Sequence, residues 1–378
     1  MYSFAGGTDG ANPHGGVIEL NGTLYGTTWG SVYSLDLANN TETVLYNQPG
    51  GTSSGLTDVE GTLYGTTETG GNGDYGTVFS YNLAAATGTI VYRFCSKKLC
   101  KDGAQPIGGV IGVRGMLYGT TPMGGKYEDC GVGNKLGCGT VFALDPATGV
   151  ERTRLSFSNN ATYGEIPLST LLDVKGTLYG TTEYGGSGSC DNGCGTVFSL
   201  KGNKETVLYS FQNNGTDGSY PVAGLINVKG ILYGTTGGGG SYGICDSRKP
   251  GCGTVFSIDP ATGAETVIHA FGNGTDGTLP LAAPVYVKGK LYGTTLGGGN
   301  TGCTGGCGTV FSIDLATGSE TVEYAFCSLQ NCVDGSGPIS SPALIDVDGV
   351  LYGTTGNGGA GSCNGMGCGT VFAITPRR

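Results

Sequence analysis

Apolar residues along this chain fall in short runs separated by Gly, Asn, Asp and Pro, and no stretch carries a helical period. Residues 222–271 show the recurring unit clearly. Val222–Val228 reads as an apolar inner strand, A, and a Lys229-Gly230 turn leads to strand B, Ile231–Thr236. A Gly-rich loop then reaches strand C, Gly253–Asp259. The turn Asp259-Pro260-Ala261-Thr262-Gly263 puts Pro where φ is preset and Gly where φ must be positive, and strand D follows as Glu265–Phe271. Four short strands joined by such turns predict an antiparallel four-stranded blade.

The unit repeats. Leu-Tyr-Gly-Thr-Thr occurs seven times, with its tyrosine at Tyr25, Tyr64, Tyr118, Tyr179, Tyr233, Tyr292 and Tyr352, at spacings of 39, 54, 61, 54, 59 and 60 residues. Gly-Thr-Val-Phe follows at Gly76, Gly139, Gly195, Gly253, Gly308 and Gly369, with the variant Gly30-Ser31-Val32-Tyr33 in the first unit. A repeat of this length predicts propeller blades, hence an all-β, seven-bladed β-propeller in which residues 1–378 form one domain. The last unit stops after strand C, at Ile374-Thr375, whereas Met1-Tyr2-Ser3-Phe4 matches the D strand Leu208-Tyr209-Ser210-Phe211. Met1–Phe4 is therefore expected to complete blade seven and close the ring. An opening inside a repeat strand, without a signal peptide, is expected of a processed or engineered start.

Gly accounts for 77 of 378 residues and charged residues for 13%, a mix suited to strands and tight turns. No apolar run is long enough to cross a membrane as a helix, so no membrane insertion is expected. The net charge of −10 argues against a nucleic-acid partner. The cysteines form seven close pairs: Cys95/Cys100, Cys130/Cys138, Cys190/Cys194, Cys245/Cys252, Cys303/Cys307, Cys327/Cys332 and Cys363/Cys368. Zinc would need four N or S donors, and each pair stands in its own repeat without a histidine nearby. Local disulfides and an oxidising compartment are the expectation, with no metal site and an extracellular or cell-surface location. Sequons at Asn21, Asn39, Asn160, Asn214 and Asn273 read either as glycan acceptors or as turn chemistry.

In an up-and-down blade the B–C and D–A loops share one face and the A–B and C–D turns the other. Here the second set is short. The first is long, variable and carries every cysteine pair, which marks it as the functional face. Residues repeated in every blade read as scaffold: the repeated Tyr and Phe as inter-blade core, and Asp9, Asp102, Asp217, Asp276 and Asp334 as turns before strand A. Calcium at Asn214–Gly218 or Asn273–Gly277 is a weaker reading, because those loops lack a run of carboxylates; no cofactor is otherwise expected. Deviations from the repeat are the better guide. After each Thr-Thr stand Trp29, Glu68, Pro122, Glu183, Gly237, Leu296 and Gly356. Trp29, Glu68, Tyr75, Tyr127, Glu183, Tyr184 and Tyr242 combine aromatic faces with carboxylates, as ligand-binding residues of a carbohydrate site would. Glu68 and Glu183 are weak candidates for a glycosidic acid/base pair, and His14 for a base. His269 occupies the tyrosine position of a D strand and reads as a structural variant. Glu19, Asp58, Asp173, Asn227 and Asp346 share one inner-strand position, lining the channel or sitting at the turn below it. Gly239–Gly243 matches Gly-x-Ser-x-Gly and Gly71–Gly76 a dinucleotide fingerprint, but neither leads into a helix.

The pattern Leu-Tyr-Gly-Thr-Thr…Cys-Gly-Thr-Val-Phe-Ser…Tyr-Ser-Phe resembles the GloVer tandem-repeat family of exported bacterial proteins over essentially the whole chain. The resemblance implies export and a kelch-like propeller, and no settled activity. Many members carry C-terminal surface anchors, whereas this sequence ends at Pro376-Arg377-Arg378. The functional expectation is a secreted or surface binding module recognising an extracellular ligand, a glycan or a surface protein, through the stapled loop face. The alternatives are a polysaccharide hydrolase or lyase, and a self-assembling adhesive subunit. Oligomeric state is left open.

Overall fold

The structure is a computed structural model and describes residues 2–48, 50–51, 54–127, 130, 136–158, 163–245, 251–272, 275–338, 344–363 and 365–376, with Tyr242 and Ile244 described in their backbone only. Seven four-stranded antiparallel sheets follow one another along the chain, with no α-helix among the described residues. In blade five, A is Ile226–Val228, B Ile231–Thr236, C Thr254–Ile258 and D Glu265–Ala270. The A strand is shorter than the apolar run 222–228 implied. Ala223 lies outside the ladder because its carbonyl accepts a bond from Thr181 of the preceding blade. Two short ribbons, Gly164–Glu165 with Tyr184–Gly185 and Gly218–Ser219 with Gly238–Ile244, extend blades four and five on the loop face and had no signature in the repeat.

Tyr2–Ser3 pairs with Thr370–Ile374 as the D strand of blade seven, joining the two ends of the chain in one sheet. Phe4 continues that alignment. It is fully buried and meets Tyr33 of blade one edge-on, with ring centroids 5.1 Å apart. Five other interfaces repeat the contact at 5.0–5.2 Å: Phe94 with Phe142, Phe157 with Phe198, Phe211 with Phe256, Phe271 with Phe311, and Phe326 with Phe372. Edge-to-face rings at this distance contribute about 0.5–1.5 kcal/mol each beyond their buried area. The junction of blades one and two departs from the rule. Gln48 stands where the other D strands end in Phe, and both of its amide atoms are buried without a partner among the described residues.

Every element of the repeat has a packing reason. In Leu-Tyr-Gly-Thr-Thr the leucine is buried, while most of the tyrosines are only half-buried and border the core. The glycine leaves room for the C-strand aromatic: a Cβ at Gly234 would lie 2.6 Å from the Phe256 ring. The first threonine clasps the next blade, with Thr27, Thr66, Thr120, Thr181 and Thr235 donating to the carbonyls of Ser54, Gly108, Ser169, Ala223 and Ala282. Thr354 makes the same bond to Gly15 across the closure, at 3.3 Å. The second threonine ties strand B to C, as in Thr182 with Thr196 at 2.8 Å.

The turn face is uniform. Asn21-Gly22, Glu60-Gly61, Arg114-Gly115, Lys175-Gly176, Lys229-Gly230, Lys288-Gly289 and Asp348-Gly349 all have positive φ at both residues, the signature of type I′ hairpins. Glu19, Asp58, Asp173, Asn227 and Asp346 accept the N–H of the glycine in this turn, at 2.6–3.3 Å. Their shared position is turn chemistry.

Candidate functional site

Strand B ends and strand C begins at the edge where strand D also ends, as the pairings Thr182↔Thr196 and Thr196↔Ser210 require. The B–C and D–A loops therefore share a face, and all seven expected disulfides form on it. Disulfides persist in oxidising compartments, so this is an exported protein. The premise that each cysteine pair is isolated needs correction. The B–C loop of blade six lies against the following D–A loop, and the four sulfurs of Cys303, Cys307, Cys327 and Cys332 fall within 4.8 Å of one another. Both pairs are bonded as disulfides, so no thiolate is presented there.

The staples lie in the expected loops but form less of the loop surface than their sequence positions implied. Cys138, Cys194, Cys252, Cys307 and Cys368 stand directly before the Gly of strand C, and each is at most 2% exposed. They belong to the core, because each packs in one cluster with the aromatic that ends strand D. Cys252 lies with Phe271 and Cys368 with Phe4. The reason is the ladder: the amide of Phe271 bonds the carbonyl of Gly253, and that of Phe4 the carbonyl of Gly369, which brings ring and sulfur together. Cys130 is buried as well. Of the pairs that close on Cys252 and Cys368, the first members, Cys245 exposed and Cys363 half-buried, are the ones open to solvent. A B–C disulfide thus ties a loop to the inter-blade core, and its second sulfur is out of reach of a ligand.

A hidden motif organises the face. Six D–A loops contain an X-Pro pair, Asn12-Pro13, Gln105-Pro106, Ile166-Pro167, Tyr220-Pro221, Leu279-Pro280 and Gly337-Pro338, with X at positive φ. The X amide donates to the carbonyl just before the Gly of Gly-Thr-Val-Phe, as from Tyr220 to Cys194 and from Leu279 to Cys252, both at 2.8 Å, and from Asn12 to Cys368 at 2.7 Å. The residues following Thr-Thr are equivalent in space as well as in sequence. Trp29, Glu68, Glu183, Gly237, Leu296 and Gly356 each donate their N–H to the neighbouring D–A loop. They form a ring around the loop face, with the X residues beside them.

The expected site residues divide among several places on this ring. Trp29 is 53% exposed, with its indole lying over Gly51 and 5.1 Å from the His14 ring. Burial lowers the pKa of His14 below its ordinary value. Glu68 donates its amide to Gly51, so Trp29, His14 and Glu68 gather at the junction of blades one and two, the junction that carries Gln48. Glu183 and Tyr184 lie at the junction of blades four and five, where Tyr184 meets Tyr220 edge-on at 5.6 Å. Tyr220 was not anticipated, and burial together with the charges of Asp191 and Glu183 raises its pKa. Glu68 and Glu183 stand two blades apart, separated on the ring by Pro122 of blade three. Tyr75 supplies a carbonyl to Gln105, and Tyr127 is exposed near the rim under Lys126. The Tyr242 side chain lies outside the described residues, as do Asn160 and Asn273.

A cavity of about 1110 Å3 on this face involves none of these residues. It lies among the loops of blades five to seven, with Leu279, Leu296, Val333 and Met366 apolar and Asn331 and Asn357 polar. Volumes of about 300–1,000 Å3 are usual for small-ligand sites. The sequence offered Leu296 as a ring position, but a cavity assembled from five separate loops has no linear signature.

The repeated Asp before strand A is more than a turn residue. Asp102, Asp217 and Asp334 are buried and accept the hydroxyls of Tyr92, Tyr209 and Tyr324 at 2.7–3.0 Å, together with loop N–H groups. Tyr2 makes the same bond to Asp9. His269 replaces the tyrosine and bonds Asp276 at 3.1 Å, consistent with its reading as a structural variant. In the loop considered for calcium, Asn214 accepts from Thr216 and Asp217, and the Asp217 carboxylate from Tyr209, Gln212 and Gly218.

Comparison with known proteins agrees with this architecture. No curated protein matches the sequence. Among solved structures, the computationally designed Ika8 protein aligns at TM-score 0.53 and 12% identity, over 99% of this chain and 98% of its own. An oligogalacturonate lyase solved with manganese aligns at 0.53 and 12%, over 94% and 85%. The extracellular domain of BT4673 from B. thetaiotaomicron aligns at 0.57 and 11%; this chain is covered in full and spans 43% of that one. At such identities the likeness is one of fold. The model of the Gloeobacter/Verrucomicrobia repeat matches residues 28–247 and 242–378, and with the seven clasped blades above, the chain belongs to that repeat family.

Proposed function

We propose that the protein is an exported binding module whose disulfide-stapled face recognises an extracellular glycan. The observation that carries this reading is the setting of Trp29. It is the chain's only tryptophan, it lies half exposed on the stapled face, and it is backed by Gly51 and His14. An indole held in this way offers an apolar plate for a sugar ring. The buried, unpartnered amide of Gln48 supports the same junction, because it breaks the aromatic rule kept at six other interfaces. The staples hold Gly-rich loops in one shape and lower the ordering cost of binding.

Titration of the purified protein against a panel of neutral and acidic oligosaccharides, followed by calorimetry, tests this. Binding that weakens at least about tenfold in Trp29→Ala, a loss of about 1.4 kcal/mol, is expected. A panel without any binder would refute the reading, and a binder indifferent to Trp29→Ala would refute its assignment to Trp29.

A further inference from the structure

Charge is distributed very unevenly along this acidic chain. Residues 1–92 contain eight Asp and Glu and no Lys or Arg, whereas residues 93–154 contain nine Lys and Arg against five Asp and Glu. Four of those nine cations, Lys97, Lys101, Lys126 and Arg152, line one cleft of about 620 Å3 between blades two and three, beside the exposed Tyr127, while Arg154 at its border donates its guanidinium to the Gly202 carbonyl of blade four. Among the described residues the acid in its wall is Glu151, whose side chain is 1% exposed and paired with Lys97 at 2.6 Å. We propose that this cleft is a site for an acidic polysaccharide, with its carboxylates or sulfates held by the cationic rim and a sugar face against Tyr127.

The repeat itself provides the control. Lys97 and Lys101 sit on the stapled loop Cys95–Asp102, and the loop Cys327–Asp334 is built in the same way. Cys95, Leu99 and Cys100 have φ of 57°, 61° and 49°; Cys327, Asn331 and Cys332 have 62°, 59° and 52°. Asp102 and Asp334 accept from the same partners: Tyr92 and Tyr324, the Ser96 and Ser328 amides, and the Lys97 and Leu329 amides. On this common frame, Lys97, Lys98, Leu99 and Lys101 replace Leu329, Gln330, Asn331 and Val333. Opposite, Arg152 stands where other D strands have Thr206, Thr266 and Thr321. Folding requires none of these cations, because equivalent blades form without them. Their convergence on one cleft from a D–A loop, a B–C loop and a D strand is therefore a property of the site. A short, open cleft on a chain of net charge −10 suits a flexible acidic glycan, whereas a nucleic-acid backbone calls for an extended basic stripe. Arginine forks pair with carboxylate and sulfate alike.

This inference adds a charge class to the glycan reading and rests on it. The intact protein would be titrated with oligomers of alginate, dextran sulfate and neutral dextran at low and high salt. Binding of alginate, dextran sulfate or both, weakened by salt and absent for dextran, is expected; which of the two binds tells carboxylate from sulfate. The decisive variant places the Cys327–Asp334 sequence in the other loop, as Lys97→Leu, Lys98→Gln, Leu99→Asn and Lys101→Val, with Glu151→Gln so that no buried carboxylate loses its partner. Since the fold already carries that loop, the variant should melt like the parent while its affinity for the acidic glycan falls at least tenfold. Acidic-glycan binding unchanged in this variant, or no binding of either acidic polymer, overturns the proposal. So does tighter binding of a single-stranded oligonucleotide. If a neutral glycan binds through Trp29 while both acidic polymers fail, only the cleft assignment falls. If the acidic polymers bind but Trp29→Ala has no effect anywhere, the cleft stands and the Trp29 site falls.

Discussion

Single residues in this protein are legible in proportion to how local their partners are. Lys229-Gly230 and Asp259–Gly263 read as turns from sequence because the chemistry of a turn lies within a few neighbours. The role of Glu42, Glu205, Glu265 and Glu320, each near the start of a D strand, was not legible. Burial pushes all four carboxyls up from 4.5 to about 7, with Asp9 adding to the effect at Glu42, Asp217 at Glu265 and Asp276 at Glu320. An acid with a higher pKa folded than unfolded binds more protons in the native state. Its contribution to stability is fully present below the unfolded value and is lost as pH rises through the folded one. The urea midpoint should therefore fall between pH 4.5 and about 7, and the four Glu→Gln changes together should flatten that slope. A slope unaltered in the fourfold variant would show that these carboxyls are not its source.

Elements were more legible than their contacts. Strands B, C and D lie within a residue or two of the expected bounds in blade five, because alternating apolar positions and turn residues specify them. Strand A is shorter than its apolar run, since part of that run serves the neighbouring blade through the Ala223 carbonyl. The stapled loops combine local and distant constraints. A disulfide such as Cys95–Cys100 closes a loop with a sequence separation of only five, worth about 2 kcal/mol in the chain-entropy model. The double variant Cys95→Ser/Cys100→Ser is expected to lose about that much in chemical denaturation. It should also become cleavable within residues 95–102 under limited proteolysis while keeping its β-sheet circular dichroism. A global loss of fold would mean that the staple holds the blade itself.

At the scale of the whole molecule, the ring depends on contacts between the two ends of the chain. Phe4 is fully buried against Tyr33, and Tyr2–Ser3 covers the edge of Thr370–Ile374. Phe4→Ala is expected to cost about 3–5 kcal/mol, as large core truncations do. Deleting residues 1–5 exposes a strand edge and should yield a species of lower melting temperature that dimerises in light scattering. A monomer with an unchanged melting temperature would mean that closure does not rest on this strand.

The repeat length, the number of blades, the hairpin turns and the pairing of cysteines were determined by the sequence alone, because each depends on residues close together in the chain and occurs several times over. The threonine clasps, the burial of Cys252, Cys368 and their equivalents, the adjoining disulfides of blade six and the cationic cleft were decided only by the tertiary structure. These features join residues from different blades or from separated loops of one blade, and no periodicity along the chain records which side chain will face which ring, carbonyl or charge once the ring of blades has closed.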